Sequence, residues 1–459
     1  MIRTNRRRVR PLQQIPVWHG FESAPAADPA RDGATEPTSS GVDALLDGLN
    51  TEQRRAVTHG EGPLLVVAGA GTGKTQVITR RIAWLIATRR AKPSEILALT
   101  FTDKAAEEMQ LRVDQLVPYG YADTAISTFH AFGDRLIREF AFELGLTPDV
   151  RVLARAEVVV FLRERLFELG LDAYVPLGDP TKFLGALAQL FARCRDEDVS
   201  PDAYAAHAGR LAAEAVTLAA AADADPEAIA AARELAARQG ELAGAFARYT
   251  TLLREYGAVD FGDQVSLALQ LVRQSAVARD MLQSRYRYVL VDEFQDTNRA
   301  QAELVALLAE RHRNVTVVGD DDQSIYRFRG AAISNILEFR ERYRGARTVV
   351  LRRNYRSLAP ILDSAHRLVR FNDPDRLEVK VGISKRLIPE RAARDAAPVR
   401  HHAFATIAEE ADWIAAEIRR RVDGGAATRD HAVLVRANAD ADAILRALNV
   451  AGLPWRFSG

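Results

Sequence analysis

The sequence predicts an α/β fold: a parallel sheet core, interrupted by an all-helical insertion and followed by a partial second α/β unit. Three observations predict it. Short apolar runs alternate with segments of 3.6-residue apolar spacing near the start of the chain, and strand-helix alternation implies a parallel sheet. The stretch from about Ala131 to Gly257 lacks strand-like segments and turns alanine-rich, as in LAAEAVTLAAAADADPEAIAAARELAARQ. The alternation then resumes at YVLVD, Tyr288 to Asp292. At 459 residues the chain exceeds one ordinary core, so two or three domains are expected.

Taken in order, the first ten residues hold five arginines, and Phe21 to Gly41 is polar and without periodicity. Residues 1–41 are therefore expected to be a disordered basic and polar leader. Folded structure should begin near Val42. LLVV (Leu64 to Val67) reads as a strand, and Ile78, Ile82, Leu85 and Ile86 mark one face of the helix after it. ILALTF (Ile96 to Phe101) is the next strand, followed by a helix with Ala106, Met109, Val113, Leu116 and Val117 at helical spacing. The first core is expected over 42–130 and 258–357. Between them, 131–257 should be helical, with Pro226 and Gly240 as interruptions. VTVVGD (Val315 to Asp320) and TVVL (Thr348 to Leu351) are further strands. A second unit over 358–459 resumes alternation near Arg400 with the helix TIAEEADWIAAEIRRRV and the strand HAVLVR.

Composition excludes some chemistries. The single cysteine, Cys194, rules out an intramolecular disulfide framework and any multi-cysteine zinc or iron-sulfur site, and it suits a reducing, cytoplasmic setting. No apolar stretch is long enough to span a bilayer, so no membrane partner is expected. The net charge of +1 is neutral on nucleic acid, because a local basic groove can coexist with acidic surface elsewhere. Adjacent His401 and His402 would point to opposite faces of a strand, which argues against a shared metal.

Three segments carry chemistry. AGAGTGKT, Ala68 to Thr75, lies between a strand and a helix. There the backbone of Ala68, Gly69, Ala70, Gly71, Thr72 and Gly73 can turn N–H groups around a polyphosphate, Lys74 adds charge, and Thr75 can ligate magnesium. VLVDEFQD ends a strand in Asp292 and Glu293. That pair suits one carboxylate to the magnesium shell and one to the attacking water as general base. VVGDDDQSIYRFRGA brings three acids and Gln323, suited to phosphate or metal, next to Tyr326 and Phe328 with Arg327 and Arg329. The latter composition stacks bases and holds phosphates without reading sequence. Each has an ordinary reading too: a glycine-rich turn, a polar strand end, and core aromatics.

In order along the chain, these segments resemble the motifs of the UvrD, Rep and PcrA group of superfamily 1 DNA helicases, from about Leu49 to the last residue. LNTEQRRAV resembles the adenine-reading Q motif, which implies Gln53 at the base edge. ALTFTDKAAEEM and STFHAF resemble the DNA-contact motifs, implying Phe101, Thr128 and His130 on the single strand, joined by Tyr326, Phe328 and Arg329. YGAVDFGDQV resembles the return from the insertion. LRRNYRS resembles the fourth motif, where Tyr355 would stack on adenine and Arg356 would reach the γ-phosphate. The resemblance implies a P-loop NTPase (RecA-like) core and a partial second RecA-like domain. It implies ATP and magnesium as cofactors, single-stranded and duplex DNA as partners, and protein partners in repair or recombination. It further implies ATP hydrolysis coupled to 3′ to 5′ movement on single-stranded DNA.

Phe328 stands where relatives commonly carry Trp, Asp103 where Asn is usual, and Gln76 where Arg is frequent. The group's fifth and sixth motifs do not occur before Gly459, so the C-terminal part of the second motor domain is expected to be missing. Two rival readings follow: an ATP-gated single-stranded DNA-binding protein, and an accessory ATPase subunit without unwinding activity.

Overall fold

The computed structural model describes residues 39–117, 124–221, 225–325, 333–392 and 397–458; most of the expected leader lies outside them. The core is one parallel sheet of six strands: β1 (Leu64–Ala68), β2 (Ile96–Thr100), β3 (Ala125–Thr128), β6 (Tyr288–Val291), β7 (Val315–Gly319) and β8 (Arg347–Leu351). Their order across the sheet is β3-β2-β6-β7-β1-β8, with Leu64 opposite Thr316 and Ile96 opposite Tyr288. Every residue of β1, β2, β6 and β7 is buried, as continuous apolar strands between two helical layers should be. The two-residue period sorts the side chains. Leu65, Val67, Leu97, Leu99, Val289, Val291 and Val317 pack on one face beneath Phe129–Glu139, Asp263–Gln274, Ala276–Arg285 and Arg299–Ala309. Leu64, Val66, Ile96, Ala98 and Leu290 face Thr51–Val57, Lys74–Ala87 and Asp103–Leu116.

One buried cation ties the second layer together. Arg81, on the Lys74–Ala87 helix, donates to the carbonyls of Ala56 and Val57 at 3.2 Å, to that of His59, and to Thr316 Oγ1 at 3.0 Å. It thereby takes up carbonyls at the end of the Thr51–Val57 helix that lack intrahelical partners.

The insertion departs from expectation in two ways. It is not free of strand: β4 (Arg151–Leu153) pairs in parallel with β5 (Ala258–Asp260), so that both crossings into and out of the insertion run side by side. Nor does Gly240 interrupt anything, since one helix runs unbroken from Pro226 to Glu255, with Pro226 at its start. Flanking alanines and a tertiary face through Leu242, Phe246 and Tyr249 outweigh one weak helix former. The helix Phe129–Glu139 lies in the sheet core through Phe132 and Leu136. At the junction, Arg195 pairs with Asp263 and, at 3.3 Å, with Asp260, which also accepts from Tyr249 Oη at 2.9 Å.

Beyond the sheet, β9 (Arg353–Asn354) pairs with β10 (Ile388–Pro389), and Leu377 packs into the first core. The helices Ile407–Asp423 and Ala441–Val450 form a separate cluster around Ala411, Ala415, Ile444 and Leu448. The expected strand HAVLVR is not one: residues 431–435 have no ladder partner among the described residues, and Leu434 is 94% exposed. An alternating run becomes a strand only when a neighbour takes up its backbone groups.

Two glycine substitutions separate packing from propensity. A Cβ at Gly133 would run into the Gln264 carbonyl, whereas at Gly240 nothing lies within 4 Å. Gly133→Ala should cost about 1–3 kcal/mol and Gly240→Ala should gain about 0.4–1 kcal/mol. The check is thermal unfolding, with midpoints moving in opposite directions.

Candidate active site

The order β6-β7-β1 sets the tips of three strands side by side at the carboxyl edge of the sheet, where the loops after them meet. The loop after β1 is shaped by backbone contacts. Gly71 and Gly73 take φ values of +74° and +88°, a region that suits residues without a Cβ. A Cβ on Gly71 would also lie 2.6 Å from Arg356 Cβ and 2.8 Å from Asn354 Nδ2. That crowding exists because Asn354 Nδ2 donates to Ala70 O at 2.6 Å and Tyr355 N to Gly71 O at 2.9 Å. Thr72 Oγ1 closes the turn on Gly69 O at 2.7 Å, and Ala68 is its buried root at the end of β1. The helix Lys74–Ala87 starts at Gly73 with no side chain capping it. Its first N–H groups and the positive end of its dipole therefore offer an anion cradle that no carboxylate among the described residues fills.

Opposite the cradle stand the acids. Lys74 Nζ lies 2.5 Å from Glu293 Oε2 and 3.4 Å from Gln323 Oε1. Glu293 adopts a left-handed φ of 49°, which costs a residue with a Cβ about 1–2 kcal/mol and aims its carboxylate at Lys74. Gln295 holds it there: its Nε2 donates to Glu293 Oε2 at 2.9 Å, while its Oε1 accepts from Asp320 N at 3.1 Å. Asp292 is buried at the tip of β6, its N–H donating to Leu99 O at 2.9 Å. Burial pushes its carboxyl up to about 7, the Glu293 charge adds to this, and Lys74 opposes it. Such a desolvated carboxyl gains from a divalent cation, so Asp292 and Thr75 fit a magnesium site. Among the described residues no cluster of three His, Cys, Asp or Glu could hold a metal by itself; the remaining ligands would be phosphate oxygens and water, as magnesium prefers.

Ala70, Gly71, Gly73, Lys74, Thr75, Glu293, Gln323 and Arg356 line one cavity of about 590 Å³. Its far wall is a stripe that sequence reasoning missed: Glu108, Arg112 and Gln115 on the helix Asp103–Leu116. Their spacing, offset by one from the buried Met109 and Val113, was the available signal. Gln53 is buried beneath the loop, donating to Thr72 O at 2.9 Å, and it is held by a reciprocal cap with Asn50. The same Asn50 donates to Tyr355 Oη at 2.9 Å, which places Tyr355 and Gln53 together at one end of the loop.

The three acids before Gln323 do not face the cavity as phosphate or metal ligands. Lys385 Nζ sits 2.9 Å from Asp320, 2.5 Å from Asp321 and 2.8 Å from Asp322. Arg376 grips Asp322 with two bonds of 2.7 and 2.9 Å. Sequence distance hid these partners, which lie more than fifty residues further on.

At the tips of β2 and β3 lie Phe101, half-buried, and Thr128, whose hydroxyl accepts from Ala131 N and donates to Asp103 at 3.2 Å each. The His130 ring stacks on Phe261 with centroids 3.9 Å apart, and burial holds it neutral, down to about 4, although Asp103 opposes this. Phe261, 57% exposed, is a further residue that sequence reasoning passed over. Tyr326, Phe328 and Arg329 lie outside the described residues.

Comparison with known proteins identifies the family. Residues 49–344 match the UvrD/REP helicase N-terminal domain, and 349–459 match the UvrD-like helicase C-terminal domain. A protein of Leuconostoc citreum named ATP-dependent DNA helicase PcrA is 34% identical over 420 residues, covering 91% of this chain and 51% of the relative. Proteins of the same name from Staphylococcus epidermidis and Staphylococcus aureus are each 32% identical, covering 91% of this chain and 52% of theirs. The chain thus spans about half the length of the curated relatives it matches. With these family matches over most of its length, the chain belongs to the UvrD/REP helicase family.

Proposed function

We propose that this chain is an ATP-driven DNA helicase or translocase, coupling ATP hydrolysis to 3′ to 5′ movement on single-stranded DNA. The observation that carries the reading is the convergence of Lys74, Glu293, Gln323 and Arg356 on one uncapped helix start. The triphosphate enters the cradle and draws Lys74 away from Glu293. Glu293 is then free to take a proton from the attacking water, while Arg356 and Lys74 neutralise charge that builds on the γ-phosphate. Thr75 and Asp292 would hold magnesium, which would supply Lewis-acid stabilisation of the phosphate oxygens. Gln53 and Tyr355 receive the adenine.

DNA is met at the tips of β2 and β3, by Phe101, Thr128, His130 and the face of Phe261. Tyr326, Phe328 and Arg329 are proposed to join them. The proposed organisation is a nucleotide core over 42–130 and 258–357, an insertion over 131–257 that touches duplex DNA, and a second unit over 358–459. The proposed location is the cytoplasm, where ATP and DNA are met together; among the described residues no helix is long and apolar enough to cross a membrane. Repair or recombination proteins are the proposed partners.

Phosphate release with and without single-stranded DNA tests the site. Lys74→Ala should lower turnover about 10²–10³-fold, and Glu293→Gln should keep nucleotide binding while slowing turnover about 10²–10⁴-fold. Normal rates in either variant would refute the assignment. For the DNA face, Phe261→Ala should weaken a labelled oligonucleotide about tenfold in anisotropy titrations and leave nucleotide affinity unchanged. Equal DNA affinity would remove Phe261 from the interface.

A further inference from the structure

We propose that Lys385 is a positioning residue for hydrolysis: buried among Asp320, Asp321 and Asp322, it fixes the carboxylate that orients the Gln323 amide toward Lys74. The inference rests on the nucleotide site proposed above.

Three consecutive carboxylates repel one another and cannot converge without a cation between them. Lys385, with 8% of its surface exposed, is that cation. Two of the acids have further holds: Arg376 on Asp322, and Leu377 N donating to Asp321 Oδ2 at 2.7 Å. Asp320 is the one that meets Gln323. Its Oδ1 accepts from Lys385 at 2.9 Å, leaving Oδ2 to accept from Gln323 Nε2 at 2.9 Å. An amide has a donor end and an acceptor end, so anchoring Nε2 on Asp320 turns Oε1 the other way, toward Lys74 Nζ at 3.4 Å. The same turn is tied to the general base, because Asp320 N donates to Gln295 Oε1 and Gln295 Nε2 donates to Glu293.

Lys385 also belongs to the strap that returns to the nucleotide loop. Three residues on, Ile388 N donates to Arg352 O at 2.8 Å, Glu390 N donates to Asn354 O at 2.9 Å, and Leu387 packs against Gly69. One strap therefore sets the acids before Gln323 at one end and the Asn354 lock on the loop at the other. Removing the Lys385 charge loosens the Gln323 amide while the cradle itself keeps its own backbone contacts.

The test compares Lys385→Met, which keeps the stem, with Lys385→Arg, which keeps the charge. Readouts are DNA-stimulated kcat and KM, affinity for a fluorescent ADP analogue, and the thermal midpoint. Lys385→Met should lower kcat about 10- to 100-fold with ADP affinity within about twofold of the parent, and Lys385→Arg should recover part of the loss. Adding Lys385→Met to Gln323→Ala should cost nothing beyond Gln323→Ala alone, since both act through one amide. A parental kcat in Lys385→Met, or losses that multiply in the double variant, overturns the proposal. If Lys385→Met does not fold, Asp320→Asn carries the same comparison and the same two outcomes. A parent chain that binds no ADP analogue overturns the nucleotide site itself; binding in the parent with full turnover in Lys385→Met overturns only this inference.

Discussion

A parallel sheet buried on both faces leaves one edge at which strand tips can meet a ligand, and the architecture follows from that constraint. Because β1 lies beside β7, and β7 beside β6, the uncapped helix start, the acids after β6 and Gln323 after β7 are neighbours without any further device. The strand order puts β6 and β7 between β1 and β2, although they come more than 180 residues later in the chain. The site is thus built from segments on both sides of the helical insertion, and any displacement of the returning half would pull Glu293 and Gln323 from Lys74.

Electrostatics decides what each acid near this edge does. Glu293, in a strained backbone conformation, faces a largely buried ammonium; Asp292 is desolvated and raised to about 7; Asp320, Asp321 and Asp322 are neutralised from behind by Lys385 and Arg376. Burial alone would raise Asp322, yet Arg376 and Lys385 outweigh it and hold its carboxyl below the usual range. Carboxylates a few residues apart therefore separate into one set available to a ligand and one set spent on structure. The Arg195, Asp260 and Asp263 cluster is likewise structural, locking the insertion to the core at the β4 and β5 crossing.

Much of this was legible in the sequence. The apolar runs at Leu64, Ile96, Tyr288, Val315 and Thr348 are all strands of one sheet, and Ile78, Ile82 and Leu85 do form the buried face of the loop helix. The AGAGTGKT turn was readable because glycine at positive φ leaves a residue-level trace. The errors share a cause. Gly240 and HAVLVR read as an interruption and a strand on local propensity, yet the first lies in a helix held by tertiary contacts and the second lacks a ladder partner among the described residues. Phe261 and Arg112 escaped because neither breaks a local pattern; each matters through what lies across from it, His130 in one case and the cradle in the other.

By itself the sequence determined the main strands and helices of the first core, the parallel class of the sheet, and the chemistry available at each strand tip, since periodicity and residue type are local properties of the chain. Only the tertiary structure decided which of those groups converge on one cavity. The pairing of Lys385 with three aspartates, of Asn354 with the loop carbonyl, and of Lys74 with Glu293 depends on through-space distances between residues far apart in sequence, and no local pattern encodes such a distance.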